Sequence, residues 1–150
     1  MGVRLSVPTR APFRGPATNS ITFASPGTGD DDTVTDVFTI TGEVIVIYMV
    51  PYCVTSLERT APTPTLKLGS AVTTTLFVGP TDVTKIQAGK FWVYADTAYA
   101  GILLPDKCKE VIVSENIVCK VAGTNNISAG VIRFDVYWLP MSSDGYVAAA

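Results

Sequence analysis

Glu43-Val-Ile-Val-Ile-Tyr-Met-Val-Pro-Tyr-Cys53 is the stretch that decides the fold. It follows Gly42, and its first four residues after Glu43 are all β-branched, with no polar break. A continuous apolar run of this length is typical of a strand with both faces covered. A buried helix is the alternative, but four successive β-branched residues favour the strand. We expect the pairing to fray or bulge at Pro51, because proline has no N–H to donate.

The rest of the chain predicts about eight to ten short strands, separated by turns rich in Gly, Pro and Asn. The clearest of them runs from Gly130 to Leu139 and should carry an ion pair between Arg133 and Asp135 on its polar face. Its apolar face is predicted to consist of Ile132, Phe134, Val136 and Trp138. Further strands are predicted at residues 19–24, 34–41, 65–68, 72–78, 91–94, 110–113 and 117–121. One helical turn, capped by Asp82, is the only helix that we expect. The fold class is therefore all-β: a single-domain antiparallel sandwich or a barrel-like closure.

The first 18 residues differ from the remainder, so we predict an extended arm over residues 1–18 and a β body over residues 19–150. The arm has no acidic residue; its basic residues are Arg4, Arg10 and Arg14, and its prolines are Pro8, Pro12 and Pro16. Proline fixes φ and favours extended shapes. The only apolar alternation in the arm is Val3, Leu5 and Val7. A terminus without any role is one interpretation. The other is an arm that orders on a partner, with its arginines meeting carboxylates there.

Bulk composition limits the classes of function. The chain has 150 residues, which predicts one domain with a sizeable core, and 16% of its residues are charged. Its net charge is −2, and the body beyond the arm has eight basic and thirteen acidic residues, so nothing predicts a nucleic-acid partner. We find no signal peptide and no transmembrane span, so we expect no membrane partner. Three cysteines, without a Cys-x-x-Cys motif, favour synthesis in a reducing compartment such as the cytoplasm.

The sequence offers little that could perform catalysis, and we predict neither an enzyme nor a cofactor. Histidine is absent, which removes the commonest general base and a common metal ligand. Cys108 lies between two lysines, which would favour its thiolate, although a small residue in a charged turn explains it as well. The other two cysteines, Cys53 and Cys119, fit a core. The loop Asp30-Asp31-Asp32 lacks the alternating ligand spacing of an EF-hand, so we interpret it as solvated and predict no metal site.

Several turn and strand-entry motifs resemble small β proteins from the head-gene regions of tailed bacteriophages. The motifs are Phe38-Thr-Ile-Thr-Gly-Glu-Val44, Leu66-Lys-Leu-Gly69, Ile86-Gln-Ala-Gly-Lys-Phe-Trp92, Ile127-Ser-Ala-Gly-Val-Ile-Arg-Phe-Asp-Val-Tyr-Trp-Leu-Pro140 and Ser143-Asp-Gly145. Several proteins of this kind look like capsid decoration, or cement, proteins. The resemblance covers roughly residues 34–147 and leaves the arm out.

The resemblance implies a virion structural protein on the outer capsid surface that stabilises contacts between capsid subunits. Its partners would be the major capsid protein and further copies of itself, commonly as a homotrimer. The arginines of the arm, Arg4, Arg10 and Arg14, are our candidate capsid-binding residues. One alternative is another phage structural module, at the tail or the base of a fibre. A less favoured alternative is a small-ligand-binding β-barrel that uses Trp92 and Trp138.

Overall fold

The computed structural model describes residues 14–150, and these residues form nine β-strands. The strands are β1 (Arg14–Thr22), β2 (Val34–Thr41), β3 (Val44–Arg59), β4 (Thr65–Ser70), β5 (Val78–Asp82), β6 (Lys109–Val113), β7 (Ile117–Ala122), β8 (Ile127–Pro140) and β9 (Tyr146–Ala149). Two single 3₁₀ turns, at Val83–Lys85 and Asp106–Cys108, are the helical elements of the described part of the chain. The predicted all-β class is therefore confirmed.

The strands form two antiparallel sheets that pack as a sandwich. The four-stranded sheet has the order β1-β8-β3-β6, and the five-stranded sheet has the order β5-β4-β7-β2-β9. The chain changes sheet at every connection between consecutive strands except the one from β4 to β5. The predicted strands around residues 114–116 thus belong to different sheets, although they follow each other closely in sequence. The core lies between the two sheets and includes Val46, Phe38 and Leu68.

The central stretch forms β3, which pairs with β8 along most of its length and with β6 at its beginning. The apolar face predicted for β8 is confirmed, because all four of its residues are buried in the core. The predicted ion pair is also present: Arg133 Nε lies 2.9 Å from Asp135 Oδ2.

Pro51 does not interrupt the ladder, and the prediction of fraying there is wrong. Its register with Phe134 is regular, and the bulges of β3 lie on either side, after Val46 and after Cys53. The carbonyl of Pro51 accepts from Trp92 N at 3.0 Å, and hence its nitrogen also points away from β8. The missing N–H therefore faces the side where pairing with β6 has already ended.

Three other local predictions needed correction. Residues 72–76 form turns and β5 begins only at Val78, so Gly79 and Pro80 lie inside this edge strand rather than ending it. Residues 91–94 make an isolated bridge at Phe91 and no strand. Asp82 does cap the 3₁₀ turn, but its carboxylate accepts from Thr84 N at 2.8 Å rather than from a later residue.

The first strand begins earlier than predicted. Arg14 lies opposite Trp138, and regular pairing with β8 continues from Ala17 to Thr22 after a bulge. Residues 14–18, which we assigned to the arm, thus form part of the sandwich. The remainder of the predicted arm, with Arg4 and Arg10, lies outside the described residues.

Candidate interaction surface

The outer face of the four-stranded sheet carries apolar side chains instead of a polar face. Along β3, Val44 and Val46 point into the core, so Ile45 between them points outward. Ile45 lies opposite Ile112 of β6 on one side and Leu139 of β8 on the other. These three side chains form an aliphatic row across three strands, and Ile112 is 62% exposed.

Two tyrosines continue this surface along the next row. Tyr48 lies opposite Tyr137, and their rings meet edge to face with centroids 6.3 Å apart. Tyr48 is 40% exposed. We call the set Ile45, Tyr48, Ile112, Tyr137 and Leu139 the outer apolar patch. An apolar surface of neighbouring side chains on a sheet face is typical of a protein interface.

Beyond the patch, the same face becomes polar. The Arg133–Asp135 pair lies there, and Thr18 Oγ1 also donates to Asp135 Oδ1 at 2.7 Å. The Arg133 guanidinium is 5.0 Å from the centre of the Tyr52 ring. Because these charges satisfy each other within the protein, the face offers little net charge to a partner except at its edges.

An open groove adjoins the patch at the β6 edge. It has a volume of about 260 Å³ and is lined by Ile112 and Val113 of β6, by Glu115 and by the turn that contains Val72 and Leu76. Val72 is 79% exposed. Glu115 Oε2 accepts from Val72 N at 3.2 Å and holds this turn against the edge. Apolar surface thus extends from the outer apolar patch around the edge of the sheet.

The sequence did not predict this surface. It predicted that both faces of the central strand would be covered, and this prediction is wrong within residues 14–150: the inner face packs on the second sheet, while Ile45 and Tyr48 remain partly accessible. The signal was present in the continuous apolar run itself. Such a run indicates two apolar faces, but it does not reveal whether the same chain or another one covers the second.

Of the predicted capsid-binding residues, the structure places only Arg14. It is exposed at the beginning of β1 and borders an open groove of about 350 Å³, which Trp138 and Tyr146 also line. Arg4 and Arg10 lie outside the described residues, so their position relative to Arg14 stays a prediction.

The two tryptophans belong to the core. Trp92 is fully buried, and its Nε1 donates to Thr81 Oγ1 at 2.9 Å. Trp138 is also buried and meets the Tyr146 ring edge to face at 5.5 Å. Neither indole presents an open face to a sugar or a base, so neither favours the ligand-binding barrel.

The cysteines are buried thiols. Burial raises the pKa of Cys53 to about 11 and the pKa of Cys108 and Cys119 to about 12. The lysines beside Cys108 therefore do not promote its thiolate, because the sulfur points inward, 3.8 Å from the Phe77 carbonyl oxygen. An interior thiol of this kind is a poor nucleophile.

The aspartates of the loop after β1 bind separate partners. Asp30 accepts from Gly27 N and Ser25 Oγ, and these bonds lower its pKa. Asp32 Oδ1 lies 2.7 Å from Lys120 Nζ, and the hydrogen bond from Lys120 lowers its pKa. No cluster of His, Cys, Asp or Glu within residues 14–150 is arranged to hold a metal ion. Nor does this part of the chain contain a helix of the length and hydropathy that crossing a membrane requires.

The geometry of the surface is the main guide to function. Comparisons of the chain with protein-family models, with curated proteins and with solved structures find no match.

Proposed function

We propose that the protein is a capsid decoration protein, which binds the outer surface of a phage head and stabilises contacts between capsid subunits. The observation that carries this proposal is the outer apolar patch, with Ile112 62% exposed, on one face of the sandwich. Apolar side chains gain free energy when another surface removes them from water. A surface of this kind suits a protein that works by contact, and the protein acts without catalysis.

The partners that the motif resemblance implies are the major capsid protein and further copies of the chain as a homotrimer. Because many copies would bind one shell, weak individual contacts would together give a high avidity. Arg4 and Arg10 of residues 1–13, together with Arg14 at the start of β1, are basic groups that can pair with carboxylates on the capsid. The protein would be made in the host cytoplasm and act on the virion.

The test uses capsids that lack the protein, mixed with the full chain or with a variant that begins at Arg14. We truncate before Arg14 because it is the first residue of β1, so the variant keeps all nine strands of the sandwich. We expect the full chain to sediment with the capsids and the truncated protein to stay in the supernatant. A variant with Arg4→Ala and Arg10→Ala should bind at least about tenfold more weakly, since each lost charge pair contributes roughly 1–3 kcal/mol.

Two results would contradict the proposal at different points. Binding of the truncated protein at full affinity would remove the role of the arm. Cryo-electron microscopy of virions that shows the protein at the tail, with none on the shell, would favour a tail or fibre-base module instead.

A further inference from the structure

A second apolar surface lies on the loop that follows the bridge between Phe91 and Tyr99, and it shares no residue with the outer apolar patch. This loop, residues 100–105, has the sequence Ala-Gly-Ile-Leu-Leu-Pro and contains no helix or strand. Ile102 is 43% exposed and Leu103 is 86% exposed, the highest value for a large apolar side chain within residues 14–150. We call Ile102 and Leu103 the apolar projection.

The loop is held at both ends and in its middle. Phe91 and Tyr99 exchange two backbone hydrogen bonds at its start, with N–O distances of 2.7 and 2.9 Å. At its end, Cys108 N donates to the Pro105 carbonyl oxygen at 2.9 Å. Leu104 packs against the core. This anchoring lowers the conformational entropy that binding through the projection would cost.

An apolar groove lies beside the projection. It has a volume of about 360 Å³, and its apolar lining includes Phe77, Val78, Val93, Tyr94 and Pro105. Pro105 is two residues from Leu103, so their Cα atoms are at most about 7 Å apart. The projection and the groove therefore belong to one surface. Because Leu103 is 86% exposed, it does not fill the groove of its own copy.

We propose that two copies of the chain bind each other reciprocally, with Leu103 of each copy in the groove of the other. A surface that carries both an apolar projection and an apolar groove can complement itself, because a two-fold rotation places each part on the other. The contact removes the projection from water, which is favourable. This inference goes beyond the proposed function: it pairs copies two at a time and so is a contact in addition to those within a homotrimer.

The charges at the rim favour a second copy of this chain as the occupant. Asp106 and Lys107 both line the groove and are exposed. The two ion pairs within residues 14–150 involve neither of them. In a reciprocal contact, Asp106 of each copy can meet Lys107 of the other, which gives two ion pairs across one interface. A partner segment with charges of one sign would complement only one of these two groups.

The test is disulfide trapping between two single variants of the full chain, mixed without capsids. One variant carries Leu103→Cys and the other carries Ala95→Cys, at an exposed position of the groove lining. Each chain then has one new thiol, so a disulfide between positions 103 and 95 must join two chains. The native thiols are buried and do not interfere.

Under mild oxidation we expect the mixed dimer to form at least about tenfold faster than in the control, because the contact brings the two thiols together. The control replaces Ala95→Cys with Val34→Cys. Val34 is 50% exposed and lies on β2, three strands away from β5 in the same sheet.

The rim charges are tested in the same trapping pair. With Asp106→Lys in both partners, like charges would face each other, and we expect trapping to slow several-fold. With Asp106→Lys in one partner and Lys107→Asp in the other, opposite charges face each other again, and the rate should recover.

Each result has a clear meaning. Fast trapping that follows this pattern of charges supports the inference, and trapping no faster than in the Val34→Cys control would overturn it. A double variant with Leu103→Cys and Ala95→Cys in one chain should give covalent dimers and nothing longer. Chains of three or more would show a head-to-tail contact and overturn the reciprocal one. A disulfide within single chains would overturn it as well, because Leu103 would then reach its own groove.

The outcome is separable from the capsid proposal. Protein that is trapped through Leu103 but does not sediment with capsids keeps this inference and loses the capsid role. Protein that sediments with capsids but is not trapped keeps the capsid role and loses this inference. If Leu103→Glu then also abolishes sedimentation, the projection binds the capsid instead of a second copy.

Discussion

At the scale of single residues, Gly130 shows how closely β8 approaches β3. Its φ is +127°, and a Cβ at this position would lie 2.8 Å from Leu57 Cα and 2.9 Å from Ser56 O. Both contacts are with backbone atoms, which cannot move aside cheaply. The position therefore needs glycine both for its conformation and for the space.

We expect Gly130→Ala to lower the free energy of unfolding by about 1–3 kcal/mol, because of overpacking and strain. Urea denaturation followed by tryptophan fluorescence measures the change. Gly101→Ala is the matched control, since a Cβ there would have no neighbour within 4 Å and the change should stay within about 0.5 kcal/mol. Equal effects of the two substitutions would contradict the explanation.

The thiols give a second prediction at this scale. At about pH 8 an aromatic disulfide reagent should leave all three cysteines unmodified in the native protein and modify all three in denaturant. Rapid native labelling of Cys108 would contradict its inward orientation.

Stability should also respond to alkaline pH. Burial raises the pKa of the three thiols from an ordinary 9.0 to about 11 or 12, so the unfolded chain loses these protons first. The stabilisation is thus complete below about pH 9 and is lost as the pH rises towards 11–12. Denaturation between pH 8 and pH 10 measures this loss, and a Cys53→Ala variant should show a smaller one.

At the scale of elements, the ladder between β4 and β7 contains an unfavourable pair. Lys67 lies directly opposite Lys120, and like charges at such positions are destabilising. Asp32 compensates in part through its ion pair with Lys120. The Asp32 carboxylate thus forms an ion pair with Lys120 and also attracts Lys67 electrostatically.

We expect Lys67→Thr to raise the free energy of unfolding by about 0.2–1 kcal/mol. Lys120→Thr is the control and should gain less, because it also removes the ion pair. The pKa of Asp32 is lowered in the fold, so its contribution is present above the ordinary value of 3.8 and is lost as the pH falls below it. The advantage of Lys67→Thr should therefore grow between pH 7 and pH 3 in denaturation experiments.

The elements also show how far the sequence could predict the fold. It predicted β8, its inward residues and its ion pair, because strict alternation identifies one buried face. It predicted a strand at residues 72–78, where β5 in fact begins only at Val78, and another at residues 91–94, where there is none. Thr-rich or aromatic segments fit a strand and a packed turn equally well. The position of Trp92 depends on its hydrogen bonds to Thr81 and Pro51, which precede it by 11 and 41 residues.

At the scale of the whole molecule, the outer apolar patch predicts self-association. We expect Ile112→Glu to weaken the oligomer at least about tenfold, since it places a charge in a surface that a partner would remove from water. Size-exclusion chromatography with light scattering over a range of concentrations measures the change. Val34→Glu, in the other sheet, should leave the oligomer intact, and an equal loss with both variants would point to a general effect.

The candidate surface was less predictable than the fold. The sequence predicted arginines in the arm, two of which lie outside the described residues. It could not predict that Ile45, Ile112 and Leu139 would meet in one row, since these positions come from three distant segments. Only the pairing of the strands brings them together.

The pairing of β3 with β8 has a consequence for how the protein folds during its synthesis. Ile45 meets Leu139, which lies 94 residues further along the chain. The middle of the sandwich therefore cannot form from a local hairpin, because this ladder can close only after the ribosome has synthesised the chain through Leu139. Such long-range topologies fold slowly, on the order of milliseconds to seconds. During that interval the apolar stretch of β3 stays exposed in the nascent chain, where chaperones can reach it.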